Sequence, residues 1–215
     1  MTTATSERTE PVTERTRRTY DRVATWYDVQ EWLPERLASR KWREQLWDLV
    51  PDGAVLEIGV GTGKNLRYYR DGHSVTAIDF SPKMLERARK NAQRAGVQAT
   101  LQLMDAQALE FPDSTVDSAV STFVFCSVPD AVLGLREACR VLRPGGRVYL
   151  LEHVLSGRQP ARWLMQRLNG LMRAIDGANL DRDTVENVEL AGFDLVDVQD
   201  LWGDIVKLIV AEKPG

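Results

Sequence analysis

The sequence predicts an α/β fold built on a mostly parallel, doubly wound sheet of seven strands. From position 54 onward, short apolar runs rich in β-branched residues alternate with stretches of helical periodicity, which is typical of repeated strand–helix units. A glycine-rich turn follows the first of these runs, as is common in sheets of this kind that bind a ligand. The last two runs are separated only by residues 200–204, which are too few for a crossover, so the last strand is expected to be antiparallel.

The elements of this sheet can be placed along the chain in order. Strands are expected at seven positions: 54–58, 74–79, 98–103, 117–122, 147–152, 194–199 and 205–211. Helices are expected in three of the gaps: 63–70, 81–94 and 130–142. Residues 17–215 are expected to form a single domain, because a chain of 215 residues is too short for two ordinary domains and a linker.

The residues that precede the first strand are expected to form a mobile tail and two helices. Residues 1–16 have almost nothing apolar to bury and are assigned to the tail, whereas residues 17–50 are assigned to the two N-terminal helices. One side of the second helix is apolar, which predicts packing against the domain, and it consists of Ala38, Trp42, Leu46 and Leu49. Another side combines arginine with tryptophan, and it consists of Arg36, Arg40, Arg43 and Trp47.

Residues 155–182 are expected to form an insertion that the alternating pattern does not require. Within it, residues 160–175 have the periodicity of an amphipathic helix that Pro160 can open. The apolar stripe of this helix consists of Ala161, Leu164, Met165, Leu168, Leu171, Met172 and Ile175. Residues 155–175 also contain four arginines and no acidic residue. After the insertion, Asp183 and Glu186 are spaced like a capping box and indicate a further helix.

The insertion and the arginine side of the second helix allow two interpretations. Each is by default a solvated charged face, and the insertion can also serve as a lid over a small-molecule pocket. The combination of basic and apolar side chains also suits a surface that faces an anionic membrane. A peripheral position at the inner face of the membrane is therefore an alternative for a protein otherwise expected in the cytoplasm.

The composition excludes several classes of protein. Hydrophobic residues make up 43% and charged residues 27% of the chain, which is typical of a globular domain and not of a disordered one. A net charge of −3 argues against binding dominated by nucleic-acid phosphates. The two cysteines, Cys126 and Cys139, lack metal-site spacing, so no metal is expected, and a reducing compartment fits. No apolar run approaches the roughly 20 residues of a membrane-spanning helix.

A ligand-binding turn is indicated where the first strand ends. The pattern Gly-x-Gly-x-Gly, at Gly59, Gly61 and Gly63, places backbone amides near a bound group at the start of the next segment. A dinucleotide fingerprint would have glycine at position 64, where this chain has Lys64, so NAD is the weaker interpretation. A phosphate-binding Walker loop would continue with serine or threonine, where this chain has Asn65.

Acidic residues at the next two strand ends indicate a nucleoside. Asp79 ends the second strand, where it can accept hydrogen bonds from a ribose diol. Asp105 ends the third strand and can accept from an adenine amine, while Phe80 or Met104 covers the ring. The side chains expected to converge on one crevice are Glu57, Asp79, Asp105, those of residues 123–126, Glu152 and His153.

Together these motifs resemble the class I S-adenosylmethionine-dependent methyltransferases, over roughly Tyr20 to Glu212. The resemblance rests on four motifs: Glu57-x-Gly59-x-Gly61-x-Gly63, Asp79, Asp105-Ala106 with Leu109-Glu110-Phe111-Pro112-Asp113, and Leu142-Arg143-Pro144-Gly145-Gly146. It implies a Rossmann-like sheet, S-adenosylmethionine as the methyl donor and S-adenosylhomocysteine as the product. The cofactor-binding residues that we expect are Tyr20, Glu57, Gly59, Gly61, Gly63, Asp79, Phe80, Asp105 and Ala106. The Phe-Asp common before the fourth strand is Val116-Asp117 here, a departure that concerns packing.

Three kinds of methyl acceptor are suggested by finer resemblances. Residues 20–28 look like the start of quinone C-methyltransferases and of soluble bacterial phospholipid N-methyltransferases. Residues 150–154 and 177–184 look more like phospholipid or small-thiol methyltransferases. We therefore expect N-methylation of phosphatidylethanolamine-type head groups first, thiol S-methylation second and quinone C-methylation third. A protein that binds the cofactor without turnover is the non-enzymatic alternative.

Two residues are candidates for proton removal during in-line methyl transfer. An alkylamine with a pKa near ~10 is mostly charged at pH 7 and must lose a proton before it attacks, whereas a thiol with a pKa near ~8.5 needs less help. His153, after the fifth strand, and Tyr27, in the N-terminal segment, are the predicted catalytic residues. A histidine satisfied by local hydrogen bonds and a packing tyrosine are the structural alternatives. Cys126, near the methyl group, is expected to be a buried packing residue.

Overall fold

The computed structural model describes residues 39–160, 162–167 and 182–215. Its strands are β1 Gly53–Ile58, β2 His73–Asp79, β3 Thr100–Leu103, β4 Val116–Thr122, β5 Leu142–His153, β6 Asp194–Trp202 and β7 Val206–Glu212. Its helices are α1 Arg40–Asp48, α2 Pro82–Ala95, α3 Ala131–Val141 and α4 Thr184–Leu190, and residues 162–167 are also helical. The predicted tail, the first N-terminal helix and most of the predicted insertion helix lie outside the described residues.

The strands form one mixed sheet in the order β3-β2-β1-β4-β5-β7-β6. The strands β1 to β5 are parallel to one another, and β7 is antiparallel to both β5 and β6. The predicted mostly parallel, seven-stranded sheet with an antiparallel last strand is therefore confirmed. The direction of winding reverses between β1 and β4, and the carboxyl ends beside such a point are where sheets of this class bind ligands.

Both faces of the sheet are buried at its central strands, which explains why those strands read as continuous apolar runs. On β5, Val148 and Leu150 belong to a core cluster with Leu135 of α3 and Val188 of α4. The alternate residues Tyr149 and Leu151 belong to a second cluster with Leu46 and Trp47 of α1. The α1 helix is thus packed against the sheet on the face opposite to α3 and α4.

Side-chain caps fix where the helices begin. Ser81 accepts a hydrogen bond from the Met84 amide at the start of α2, and Asp130 accepts one from the Leu133 amide at the start of α3. Asp183 caps α4 in the same way by accepting from the Glu186 amide, at 3.2 Å. A helix therefore begins where the Asp183 and Glu186 spacing predicted one.

Two predicted elements differ from the structure. The helix expected at 63–70 is wrong: the chain makes a turn, followed by a short 3₁₀ helix at Leu66–Tyr68. Gly61 and Gly63 adopt φ angles of 55° and 88°, which an α-helix cannot contain. In addition, β5 begins at Leu142, five residues before the predicted start, because residue 142 already pairs with Val116 of β4.

The predicted surface of arginine and tryptophan on the second helix is also wrong for two of its members. Arg43 is 5% exposed and Trp47 is 1% exposed, so neither side chain can face a membrane. Leu49, expected on the buried side, is 45% exposed. Within the described parts of the chain, no helix is long and apolar enough to cross a membrane.

Candidate active site

A cavity lies at the carboxyl ends of the first four strands, beside the point where the sheet reverses its winding. Its walls include six of the predicted cofactor-binding residues: Gly59, Gly61, Asp79, Phe80, Asp105 and Ala106. Further wall residues that the sequence did not single out for binding are Met84, Gln107, Thr122, Ser127, Val128 and Pro129. Glu57 and Gly63 lie behind this wall, and Tyr20 and Tyr27 lie outside the described residues.

The glycine turn brings backbone close to the cavity. A Cβ atom on Gly59 would collide with the side chain of Val124, and one on Gly63 would lie 2.5 Å from Leu66 Cδ1. A Cβ atom on Gly61, by contrast, would meet nothing within 4 Å, although its φ of 55° already disfavours other residues. Gly59 and Gly63 therefore permit tight packing of the turn, and Gly61 presents the turn to a ligand.

Asp79 connects this turn to the end of β2. Its Oδ2 accepts a hydrogen bond from the Gly61 amide at 2.9 Å, and its Oδ1 accepts one from the Ser81 amide at 2.9 Å. These bonds fix the carboxylate in the wall of the cavity, where the residue is 7% exposed. A carboxylate at this position is the kind of acceptor that a ribose diol requires.

The β3 end of the cavity combines a carboxylate with apolar side chains. Asp105 Oδ1 accepts from the amide of Gln107 at 2.9 Å and from its side-chain Nε2 at 3.1 Å. Met104, Val128 and Pro129 complete an apolar wall that suits a flat aromatic ring. Gln107 is a neighbour that the sequence did not indicate: its Oε1 also accepts from the Asp130 amide.

A buried polar network lies behind the glycine turn. Asn65 donates from Nδ2 to Glu57 Oε1 at 2.7 Å and to Thr122 Oγ1 at 3.0 Å. The Tyr69 hydroxyl donates to Glu57 Oε2. Burial raises the pKa of Glu57 from its usual 4.5 to about 7, although the bonds from Tyr69 and Asn65 and the charge of Arg43 oppose that rise.

A second buried carboxyl holds the loop that follows β4. Glu152 Oε1 accepts from the Val124 amide at 2.9 Å and from the Phe125 amide at 3.1 Å, and Ser121 Oγ donates to it at 3.3 Å. The other oxygen of Glu152 is buried without a hydrogen-bond partner in the part of the chain that the structure describes. Burial raises the pKa of Glu152 to about 7, against the lowering effect of these donors. The bonds hold the loop beside Phe123, whose φ of 58° is unusual for a bulky residue.

The predicted catalytic histidine lies next to this loop. The His153 ring centroid is 4.6 Å from that of Phe123, and Phe123 lines the cavity. Cys126 is 4% exposed, which is consistent with a packing residue. Within the ranges described here, no group of three or more His, Cys, Asp or Glu residues is arranged to hold a metal ion.

The fold and the cavity define an α/β domain that binds a nucleoside derivative. The open backbone at Gly61, the fixed carboxylate of Asp79 and the apolar slot beside Asp105 fit the three parts of an S-adenosyl compound. Comparisons with known proteins show which family of such domains the chain belongs to. The family described as "Methyltransferase domain" matches residues 56–150, which contain the glycine turn and both aspartates.

Curated relatives and solved structures agree with that match. The chain is 34% identical over 176 residues to human thiol S-methyltransferase TMT1A, covering 77% of this chain and 72% of that protein. It is 42% identical over 110 residues to phosphatidylethanolamine N-methyltransferase of Cereibacter sphaeroides, covering 50% of this chain and about half (54%) of that protein. Demethylmenaquinone methyltransferase of Thermus thermophilus is 34% identical over 139 residues, covering 62% of this chain and 63% of that protein.

A solved SAM-dependent methyltransferase from Methanosarcina mazei superimposes with a TM-score of 0.63 at 26% identity, covering 77% of this chain and 94% of that one. One from Aquifex aeolicus has the same fold, with a TM-score of 0.65 at 18% identity over 90% of this chain and 98% of that one. The chain belongs to the class I S-adenosylmethionine-dependent methyltransferases, and S-adenosylmethionine is its methyl donor.

Proposed function

We propose that this enzyme methylates the amine of phosphatidylethanolamine-type phospholipid head groups. The observation that carries the proposal is the exposed, basic and apolar surface of the helical segment at 162–167. Trp163 and Leu164 are 54% and 51% exposed, and the Arg167 guanidinium lies 5.1 Å from the centre of the Trp163 ring. Aromatic, aliphatic and arginine side chains exposed together are the composition of a surface that rests on an anionic bilayer.

The position of this segment supports the same proposal. The segment follows the carboxyl end of β5, which is the edge of the sheet where the cavity opens. The residues that lead from β5 to the segment are anchored there, because Asp204 accepts hydrogen bonds at 2.9 Å from Ser156 Oγ and from the Gly157 amide. A lipid that touched Trp163 and Leu164 would therefore approach the enzyme from the side of the cavity. The similarity to the Cereibacter enzyme, whose name specifies phosphatidylethanolamine, is consistent with such an acceptor.

In this proposal the residues of the chain bind and orient the reactants. The cofactor supplies an electrophilic methyl group on its sulfonium centre. The glycine turn with Glu57 behind it receives the methionine end, Asp79 accepts from the ribose, and Asp105 with Phe80 and Ala106 surrounds the adenine. Most of the rate enhancement then comes from holding the acceptor in line with the methyl group. His153 and Tyr27 remain the candidates for removing the proton of the amine.

Thiol S-methylation is the second candidate, favoured by one specific observation. The alignment with human TMT1A covers 77% of the chain, against 50% for the Cereibacter enzyme. A thiol acceptor would reduce the need for an active-site base, since its pKa of ~8.5 leaves a useful thiolate fraction near neutral pH. In that case Trp163 and Leu164 would border a pocket for a small molecule and would not contact a bilayer.

One experiment separates these acceptors. The purified protein is incubated with methyl-labelled S-adenosylmethionine and either vesicles of phosphatidylethanolamine and an anionic lipid, or a small soluble alkyl thiol. We expect label on the ethanolamine nitrogen, and we expect the protein to sediment with the vesicles at low salt and to be released at high salt. Label on the thiol without binding to vesicles would reject the phospholipid proposal, and no label in any fraction would favour a cofactor-binding protein.

Charge-reversal variants test the proposed membrane surface. The double variant Arg162→Glu and Arg167→Glu is expected to lose most of its sedimentation with vesicles while binding S-adenosylhomocysteine as the wild type does. Arg94→Glu is a matched control, because Arg94 is exposed in the last turn of α2, at the opposite edge of the sheet. Equal sedimentation of the double variant and the control would contradict the proposed role of the segment.

A further inference from the structure

Among the charged side chains of α1, that of Arg43 is buried, and it lies against the polar network behind the glycine turn. Its Nη1 donates to Asn65 Oδ1 at 2.9 Å and to Thr122 Oγ1 at 2.5 Å. Asn65 in turn donates to Glu57, so a single guanidinium is connected to the carboxyl at the end of β1. Burying an arginine is unfavourable unless its charge and its donors are matched, and the two bonds from Nη1 to residues of the methyltransferase core meet part of that requirement.

The same guanidinium also contacts the β4 side of the cavity. Its Cζ atom is 5.4 Å from the centre of the Phe123 ring, within the range of a cation–π contact. Thr122 and Phe123 both line the cavity, and the Phe123 ring also lies against that of His153. One residue of α1 therefore contacts, directly or through Asn65, both the wall beside the glycine turn and the wall beside the predicted base.

We propose that Arg43 is a positioning residue for methyl transfer. Arg43 links Glu57 to Thr122 and Phe123. It thereby couples the methionine end of the cofactor site to the wall formed by the end of β4. It is not a catalytic residue, because it acts through Asn65, Thr122 and Phe123. This role is independent of the acceptor, since it requires only that the cavity binds S-adenosylmethionine.

The electrostatic part of this role can be measured separately. The groups that face the Glu57 carboxyl are Tyr69 and Asn65 from the segment after the turn, Arg43 from α1 and Asp79 from the end of β2. Arg43 lowers the pKa of Glu57 and Asp79 raises it, so loss of the arginine should move that pKa upward from about 7. Binding of S-adenosylhomocysteine, whose amino acid end carries an ammonium group, should then require a higher pH.

The test is calorimetric titration with S-adenosylhomocysteine between pH 6 and 9. For Arg43→Met we expect affinity to fall by about tenfold, which is the size of effect known for residues that act on a site through their neighbours, and we expect the pH midpoint of binding to rise. For Arg43→Lys, which keeps the charge but not the planar fork of donors, we expect lower affinity with a midpoint close to that of the wild type. Arg40→Met is the matched control, because Arg40 is exposed on the same helix and, within the described ranges, its hydrogen bond is made by its backbone carbonyl, which accepts from the Tyr68 hydroxyl.

A purely structural role would give a different result. Both Arg43 variants would then lose affinity only in proportion to the unfolded fraction seen in thermal unfolding, and neither midpoint would move. That outcome, or wild-type affinity in Arg43→Met, would overturn the proposal. If Arg43→Met does not fold, the variant Thr122→Val tests the proposal instead. It removes the hydroxyl that accepts from both Arg43 and Asn65 while keeping the shape of the side chain. Wild-type affinity in that variant would also overturn the proposal.

Discussion

Replacement of Glu152 by Gln is expected to stabilise the protein at alkaline pH, although it removes a buried charge that accepts three hydrogen bonds. Glu152 is fully buried, and its Oε2 lacks a partner among the described residues. Glutamine reproduces the shape and neutrality of the protonated acid, and its oxygen can keep the bonds from Val124, Phe125 and Ser121. The variant therefore removes the unfavourable desolvation of the ionised form and little else.

The expected magnitude follows from the pKa of this carboxyl. The pKa rises from its usual 4.5 to about 7 in the folded protein, which corresponds to about 3 kcal/mol in favour of the neutral form. Because the folded pKa lies above the unfolded one, the contribution of Glu152 to stability is fully present below pH 4.5 and is lost as the pH rises through 7. We therefore expect Glu152→Gln and the wild type to be similar near pH 4.5, and the variant to be more stable by about 1–3 kcal/mol at pH 8.

Urea unfolding of both proteins across this pH range measures the difference. Glu189→Gln controls for the loss of one negative charge, because Glu189 is exposed near the end of α4. A Glu152→Gln variant that is less stable than the wild type at pH 8 would show that the ionised carboxylate stabilises the loop after β4, and would refute the expected effect.

Three further variants test the site. Asp79→Ala should weaken S-adenosylhomocysteine binding by about 1–3 kcal/mol in calorimetry, since a charge-assisted hydrogen bond is lost, and undiminished affinity would exclude the assigned role. Gly59→Ala should lower both the unfolding midpoint and the affinity, because the added Cβ collides with Val124 and the φ of 73° is strained; wild-type values for both would contradict the described turn. His153→Ala should reduce turnover by ~10²–10⁴-fold if His153 is the base, with cofactor affinity nearly unchanged. Normal turnover of His153→Ala between pH 6 and 9 would leave Tyr27 or solvent to accept the proton.

The sheet could be predicted from the sequence because its signals are local. The central parallel strands β1 and β4 are short runs buried on both faces, and the short 200–204 connection fixes the antiparallel pairing of β6 and β7. The ends of β2 and β3 are marked by single acidic residues, and parallel strands bring those ends to one edge. Asp79 and Asp105 could therefore be expected in one cavity, as the structure has them.

The role of α1 could not be predicted from the same kind of pattern. Helical periodicity gives the sides of a helix but not the polar groups that meet each side. The partners of Arg43, Asn65 and Thr122, are 22 and 79 residues away in sequence, and both are uncharged. The helix expected at 63–70 was wrong for a different reason, because the positive φ angles of Gly61 and Gly63 belong to a tight turn and prevent an α-helix from starting there.

The ligand of the cavity at the ends of β1 to β4 decides whether this protein is a methyltransferase. Calorimetric titration of the free protein with S-adenosylhomocysteine, and separately with NADH, measures this without knowledge of the acceptor. We expect saturable binding of S-adenosylhomocysteine at one site per chain and no heat from NADH. Saturable binding of NADH together with no binding of S-adenosylhomocysteine would contradict the assignment of Gly61, Asp79 and Asp105 to an S-adenosyl compound.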